Sequence, residues 1–307
     1  CLIGSKCQFF DKSIGLTLDD ILRDEIRPDS TFNSQSFTIK MSAALTIVMF
    51  IAGLINSILS FITFQNKQLR IFGCGIYLLA SSFTSFGTVT MFLVKYWFVV
   101  VTHMNSKNSI GVARAGCKLI EPLLKLFVYW DAWLNACIAI ERAVNVWKGV
   151  NFNREKSKRF AKIIILLLPF CIISSIIHEP INRQLVEFKD KITVETAWCV
   201  TDYSRSLEKY NTAILFIHLV SPFVMNLFSA LFIIFGAAHQ RSIAQPGRSY
   251  RVHAQEQFEE HKQLIISPLV LVILASPRLI IALLSGCINI SKDRWVYLSA
   301  YFISFIP

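Results

Sequence analysis

Residues 117–142 read CKLIEPLLKLFVYWDAWLNACIAIER, a mostly apolar stretch that opens on Cys117 and closes on Glu141-Arg142. As a helix rising 1.5 Å per residue the interval is about 37 Å long, enough to cross the roughly 30 Å hydrocarbon core of a bilayer with both ends in the interfaces. The stretch therefore proposes two compartments. Cys117 would lie on an oxidising face, where Cys199 of Trp198-Cys199-Val200 is a candidate disulfide partner, and Glu141-Arg142 would meet the cytosol. The plainer reading is an ordinary buried helix with a free thiol. It weakens because the same apolar pattern recurs along most of the chain.

With 54% apolar residues, 25 Phe, 17% charged residues and a mean hydropathy of +0.51, the 307-residue chain is too apolar for a soluble domain of its length. Six spans are long enough to cross a membrane, roughly 41–64, 71–94, 119–141, 160–178, 211–238 and 263–288, and a seventh begins near Trp295 and stops at Pro307. The expected fold is an all-α membrane protein, a bundle of seven transmembrane helices over 41–307 with the seventh truncated. Without an initiator Met, and ending inside an apolar run, the sequence reads as a fragment at both ends.

Basic residues suggest the orientation. With the N-terminus outside, the inner links 65–72, 141–162 and 239–263 hold thirteen Lys/Arg in 55 positions, and the outer segments 1–40, 95–118, 178–209 and 287–295 hold sixteen in 105. The inner density is higher, most of all across Lys148–Lys162 with Arg154, Lys156, Lys158 and Arg159. That stretch is either a solvated face beside anionic lipid or a partner surface. The net charge of +11 is then topology and lipid attraction, and nucleic acid is not an expected partner because the basic residues are dispersed between apolar spans.

Polar residues inside a span need a partner or a cavity, and so are functional candidates by default. Asp131 sits near the centre of the third span, Glu121 and Lys125 lie above it on one helical face, and Arg278 follows Pro277 in the sixth. Glu121 and Lys125 read equally as an internal ion pair, and Asp131 as a hydrogen-bonded carboxyl that joins helices. Pro169, Pro222, Pro268 and Pro277 interrupt helical spans and allow bends that serve as pivots.

Taken together, Gly53-Leu54-Ile55-Asn56 in the first span, Cys117 with Arg142 of Glu141-Arg142-Ala143 25 residues on, Cys199, Pro222 and Pro277 resemble a rhodopsin-like G-protein-coupled receptor over 41–307. The resemblance implies a Cys117–Cys199 disulfide that ties the third helix to the second outer loop. It also implies that Arg142 holds the inactive state and releases to meet a heterotrimeric G protein, with Pro222 and Pro277 as pivots. Glu-Arg-Ala stands where the family usually has Asp-Arg-Tyr. Larger departures mark a divergent branch: Ser85 replaces the acid usual in helix two, Ala275 the tryptophan before Pro277, and helix four lacks its tryptophan.

The Ser85 substitution suggests that the acid of the family's sodium pocket has moved across to Asp131, with Asn56, Ser85 and Asn135 as polar neighbours and an allosteric Na+ as the one cofactor to consider. By the family's geometry, Glu121, Lys125 and Arg278 border the ligand pocket with Trp198 and Asp202 above. Two cations against one acid favour an acidic or peptide-like ligand. Trp295–Pro307 contains no lysine, which sets an opsin aside. At the foot of helix six, Glu256, Glu259 and Glu260 flank Gln257 and could meet Arg142.

Cys1-x-x-Gly4-x-x-Cys7 resembles the closing turn of an EGF-like module, so residues 1–8 read as its remnant and 9–40 as an extracellular linker with Asp19, Asp20, Asp24 and Glu25. Cys74, Cys137, Cys171 and Cys287 read as small apolar residues in or beside spans. Asn289-Ile290-Ser291 is a sequon close to the membrane. The six histidines show no metal-ligand spacing and no catalytic motif appears, so neither a metal nor an enzyme is expected. The leading expectation is a multi-pass plasma-membrane receptor with an extracellular N-terminus, partnered by an extracellular ligand, a G protein and membrane lipids. The alternatives are a secondary transporter, which would need inverted repeats that the halves do not show, and a membrane anchor for an adhesive EGF-containing ectodomain.

Overall fold

The computed structural model describes residues 18, 22, 25–27, 30–65, 73–104, 110–189, 195–244 and the single positions 266, 273, 298, 299 and 302. Among these, five long helices occur in order: α1, Phe37–Phe64; α2, Gly73–Met104; α3, Ile110–Lys148; α4, Arg154–Ile176; and α5, Arg205–Ala244. Each holds an apolar window long enough to cross a membrane, and at most 28% of any such window is buried inside the protein. Ile51, Leu59 and Ile62 of α1, Leu166 and Phe170 of α4 and Phe228 and Phe235 of α5 are exposed. Apolar surface of that extent matches hydrocarbon rather than water, and backbone groups satisfied within each helix are what a bilayer demands. The chain is a multi-pass membrane protein.

The helices overrun their expected apolar spans. The second, expected at 71–94, continues to Met104, and the third, expected at 119–141, runs from Ile110 to Lys148. An apolar window detects only the hydrocarbon crossing, whereas Lys95, Arg114, Lys118 and Lys148 sustain helix into the interfaces. The expected sixth and seventh spans, with Pro268 and Pro277, lie outside the described residues except for single helical positions at 266, 273, 298, 299 and 302. Cys1 and Cys7 of the suggested EGF-like remnant also lie outside them.

Central to the bundle, α3 packs against α2, α4 and α5. It ends where Gly149 takes φ 49°, the left-handed conformation that glycine adopts without a Cβ penalty. The chain reverses through a single 3-10 turn, Gly149–Asn151, and α4 starts under the cap of Asn153, whose side chain accepts the Lys156 N–H at 3.0 Å. Pro122, Pro169 and Pro222 lie inside α3, α4 and α5, and the Pro222 carbonyl accepts from Asn226 Nδ2 at 3.0 Å.

Two features at the outer end correct the sequence expectation. The fold is not purely α: after α4 a helical turn, His178–Asn182, leads into β1, Arg183–Lys189, antiparallel to β2, Glu195–Thr201, with Leu185 opposite Cys199. A short hairpin rich in Val and Thr carries none of the length signal of a transmembrane span. The expected linker 9–40 also includes residues that pack on the bundle. Leu18, Leu22 and Ile26 are 0%, 0% and 7% exposed in one cluster with Ile39, Ala43, Tyr96 and Leu124. Leu18 and Leu22 are helical, and the Ile26 N–H donates to the Leu22 carbonyl at 3.2 Å. The Gln35 amide ties the chain just before α1 back to Arg27, accepting from the Arg27 N–H at 3.0 Å and donating to the Arg27 carbonyl at 2.8 Å.

Candidate functional site

Polar residues gather in α3 and its neighbours at three depths. In the outer tier the hairpin is joined to α3 by the disulfide Cys117–Cys199, with Cα atoms 5.5 Å apart. Glu121 and Lys125 do not pair with each other, contrary to the internal ion pair their spacing suggested. Glu121 meets Lys95 of α2 at 3.5 Å, and Lys125 pairs with Glu179 of the helical turn after α4. Glu179 also faces Arg183 Nη2 at 3.7 Å, and Arg183 Nη1 lies 3.9 Å from Cys199 Sγ. Beside them burial, followed by the charge of Glu179, pushes the Tyr203 phenol up, so it remains a neutral donor. Of the other expected pocket residues, Trp198 stands opposite Val186 in the hairpin register, Asp202 donates its N–H to the Asn182 carbonyl at 3.1 Å, and Arg278 lies outside the described residues.

One level down, between α3, α4 and α5, His218 is sandwiched in a set of contacts that sequence reading did not single out. Tyr129 stacks on its ring with centroids 4.6 Å apart, Trp133 Nε1 lies 2.9 Å from Nδ1, and Ser175 Oγ lies 2.8 Å from Nε2. An indole N–H only donates, so Nδ1 must be the acceptor and the ring is the neutral tautomer with its proton on Nε2. That proton goes to Ser175 Oγ, whose own hydroxyl donates to the Ile172 carbonyl at 2.7 Å. The chain of donors is complete and joins three helices.

At mid-depth Asp131 carries the densest polar contacts of the bundle. Its Oδ1 accepts from Ser81 Oγ at 2.7 Å, Thr84 Oγ1 at 2.7 Å and Ser85 Oγ at 3.2 Å, and its Oδ2 from Asn135 Nδ2 at 3.3 Å. Four donors can satisfy a carboxyl group inside a bundle, where an unsatisfied one would be very costly. Ser85 and Asn135 are where the sequence placed them. Asn56 is not: it is exposed on α1, and no bond ties it to Asp131 among the described residues. Ser81 and Thr84 were missed, although the helical spacing of Ser81, Thr84 and Ser85 is a readable stripe. One carboxylate with three hydroxyls is the hard oxygen set that suits a small cation, so these residues fit Na+. Among the described residues no three His, Cys, Asp or Glu side chains converge, as a transition-metal site would require.

At the inner end, Glu141 turns toward the start of α2. Its carboxylate accepts from Ser157 Oγ of α4 and packs against Gly73 of α2, so one side chain meets the ends of three helices. A carboxylate at a helix N-terminus is favoured by the unpaired N–H groups and the dipole there. Gly73 makes the approach possible, since a Cβ there would stand 2.7 Å from Ser157 Oγ. Arg142 is exposed, reaches the Cys74 thiol, and borders a cavity of about 350 Å³ with Phe64, Leu78 and Asn145. Ala143 is buried. The suggested acidic partners Glu256, Glu259 and Glu260 lie outside the described residues.

Three tiers threaded by one helix, closed at one end by a disulfide-tied hairpin and at the other by Glu141 and Arg142, constrain what the chain can be. A comparison with curated proteins returns no match. The family model for the 7 transmembrane receptor (rhodopsin family) matches residues 56–306, most of the chain and every tier. The chain belongs to the rhodopsin family of seven-transmembrane receptors.

Proposed function

We propose that this receptor sits in the plasma membrane as a seven-helix bundle with its N-terminus outside, and converts binding of an extracellular ligand into activation of a heterotrimeric G protein. The observation that carries the reading is the inner junction. Glu141 packs on Gly73 and accepts from Ser157, while Arg142, Trp147 and Val150 along the same end are exposed, the last two 73% and 104%. A cation among exposed apolar side chains at the cytosolic end is a surface suited to a protein partner.

The outer tier sets the ligand class. Among the described residues of this tier, three cations, Lys95, Lys125 and Arg183, stand with the acids Glu121 and Glu179. We read this as selecting an anionic ligand, such as a peptide with an acidic side chain or a free carboxylate. In the middle tier, Asp131 with Ser81, Thr84, Ser85 and Asn135 would hold an allosteric Na+. That ion would neutralise the carboxylate and hold α2 against α3.

The test is basal and extract-stimulated G-protein activation in cells at matched surface expression. Arg142→Ala is expected to alter the signal and Cys199→Ser to impair ligand response. A well-expressed receptor that activates no G protein would sink the reading and favour a membrane anchor.

A further inference from the structure

A second cavity, of about 410 Å³, opens at the inner end between α3, α4 and the turn that joins them. Ile140, Val144, Phe160 and Ile164 line its interior, and Lys148 and Lys156 stand at its edge. Phe160 and Ile140 are 63% and 38% exposed, and along α4 the surface continues through Ile163, Leu166 and Leu167, all exposed. The cavity therefore opens sideways into the hydrocarbon as well as toward the cytosol. Its polar mouth lies at the first turn of α4, where the helix dipole adds to the two ammonium groups in favouring an anion.

We propose that this cleft binds an anionic phospholipid of the inner leaflet. The headgroup phosphate sits at Lys148 and Lys156, and an acyl chain lies along Ile140, Val144, Phe160 and Ile164. The charge at the edge and the apolar interior together call for one amphiphile. A soluble polyanion would leave the interior unfilled, and a neutral lipid would leave the lysines unanswered. Glu141 and Ser157 also line the cleft, so the bound headgroup lies next to the clasp on α2 and to Arg142. This placement rests on the cytosolic orientation of the α3–α4 turn in the proposed receptor.

The test titrates the purified full chain in neutral detergent with a fluorescent phosphatidylserine, using phosphatidylcholine of the same chains and chain-free glycerophosphoserine as competitors. Phosphatidylserine is expected to bind at least about tenfold tighter than phosphatidylcholine, and glycerophosphoserine not to compete. Each lysine near the surface is worth roughly fivefold, so Lys148→Gln with Lys156→Gln should weaken binding about twenty-five-fold. Ile140→Trp, which fills the cleft and keeps both lysines, should abolish the high-affinity phase.

Equal binding of the two lipids would overturn the proposal, as would competition by glycerophosphoserine, which would make the site a polyanion patch. Unchanged binding in Ile140→Trp would overturn the cleft as its location. The lysine variant alters only surface groups and keeps the test decisive if the tryptophan variant folds poorly. Because the titration reads no signalling, its failure and a failure of G-protein coupling are separate results.

Discussion

Replacing Gly73 with alanine should loosen the inner end of the bundle even though alanine is the better helix former. The new Cβ would stand 2.7 Å from Ser157 Oγ and 2.8 and 2.9 Å from the two carboxylate oxygens of Glu141, distances that real Cβ atoms do not tolerate. Either the carboxylate or the start of α2 must move, which disturbs the bond from Ser157 Oγ to Glu141. A hydrogen bond to a charged group contributes about 1.5–3 kcal/mol. Alanine's propensity advantage returns at most about 1 kcal/mol. The net expectation is a loss of roughly 0.5–2 kcal/mol, or a fall of about 1–8 °C in Tm at 2–4 °C per kcal/mol. Thermal unfolding of the detergent-solubilised chain reads this directly. Ser157→Ala alone removes the hydroxyl half of the clasp and should also lower Tm. A Gly73→Ala chain that melts at or above the wild-type temperature would refute the clasp.

Other perturbations read the remaining tiers. Asp131→Ala strands the hydroxyls of Ser81, Thr84 and Ser85 and should cost about 3 kcal/mol or more, with Asp131→Asn milder because an amide oxygen still accepts. If Na+ binds there, wild-type Tm should rise when NaCl replaces choline chloride, and the Asn variant should show no such rise. Trp133→Phe should cost about 1–2 kcal/mol, and His218→Ala should add less in that background than alone, read as coupling in a double-mutant cycle. Cys199→Ser opens a link across 82 residues and should cost about 2–4 kcal/mol, measured as the Tm difference between oxidised wild type and the variant. Leu22→Asp places a charge in a fully buried site and should lower Tm, whereas a true linker residue would leave it unchanged.

What the sequence made legible was mostly what lies along one helix. Cys117, Asp131 and Arg142 could be placed at three depths because a helix rises by a fixed amount per residue. Ser85 and Asn135 could be assigned to Asp131 from spacing and register. Pairings between elements were not legible in the same way. Lys125 finds Glu179 54 residues later, and Glu121 finds Lys95, because side-chain reach across a packed bundle depends on rotations that hydropathy does not encode. Asn56 is exposed on α1 and makes no bond to Asp131 among the described residues. Hydropathy also hid Leu18, Leu22 and Ile26, since Asp19, Asp20 and Asp24 between them lower the average while leaving one face apolar. The hairpin was passed over because strand alternation over seven residues is faint beside spans of twenty or more.

The most direct measurement is nucleotide exchange on purified heterotrimeric G proteins by the full receptor in nanodiscs containing anionic lipid, comparing wild type with Arg142→Ala. The account predicts that wild type accelerates exchange on at least one G-protein class, and that the arginine variant changes this rate while its fold and Cys117–Cys199 disulfide stay intact. No acceleration on any class, by a receptor whose disulfide is formed and whose melting is cooperative, would contradict it.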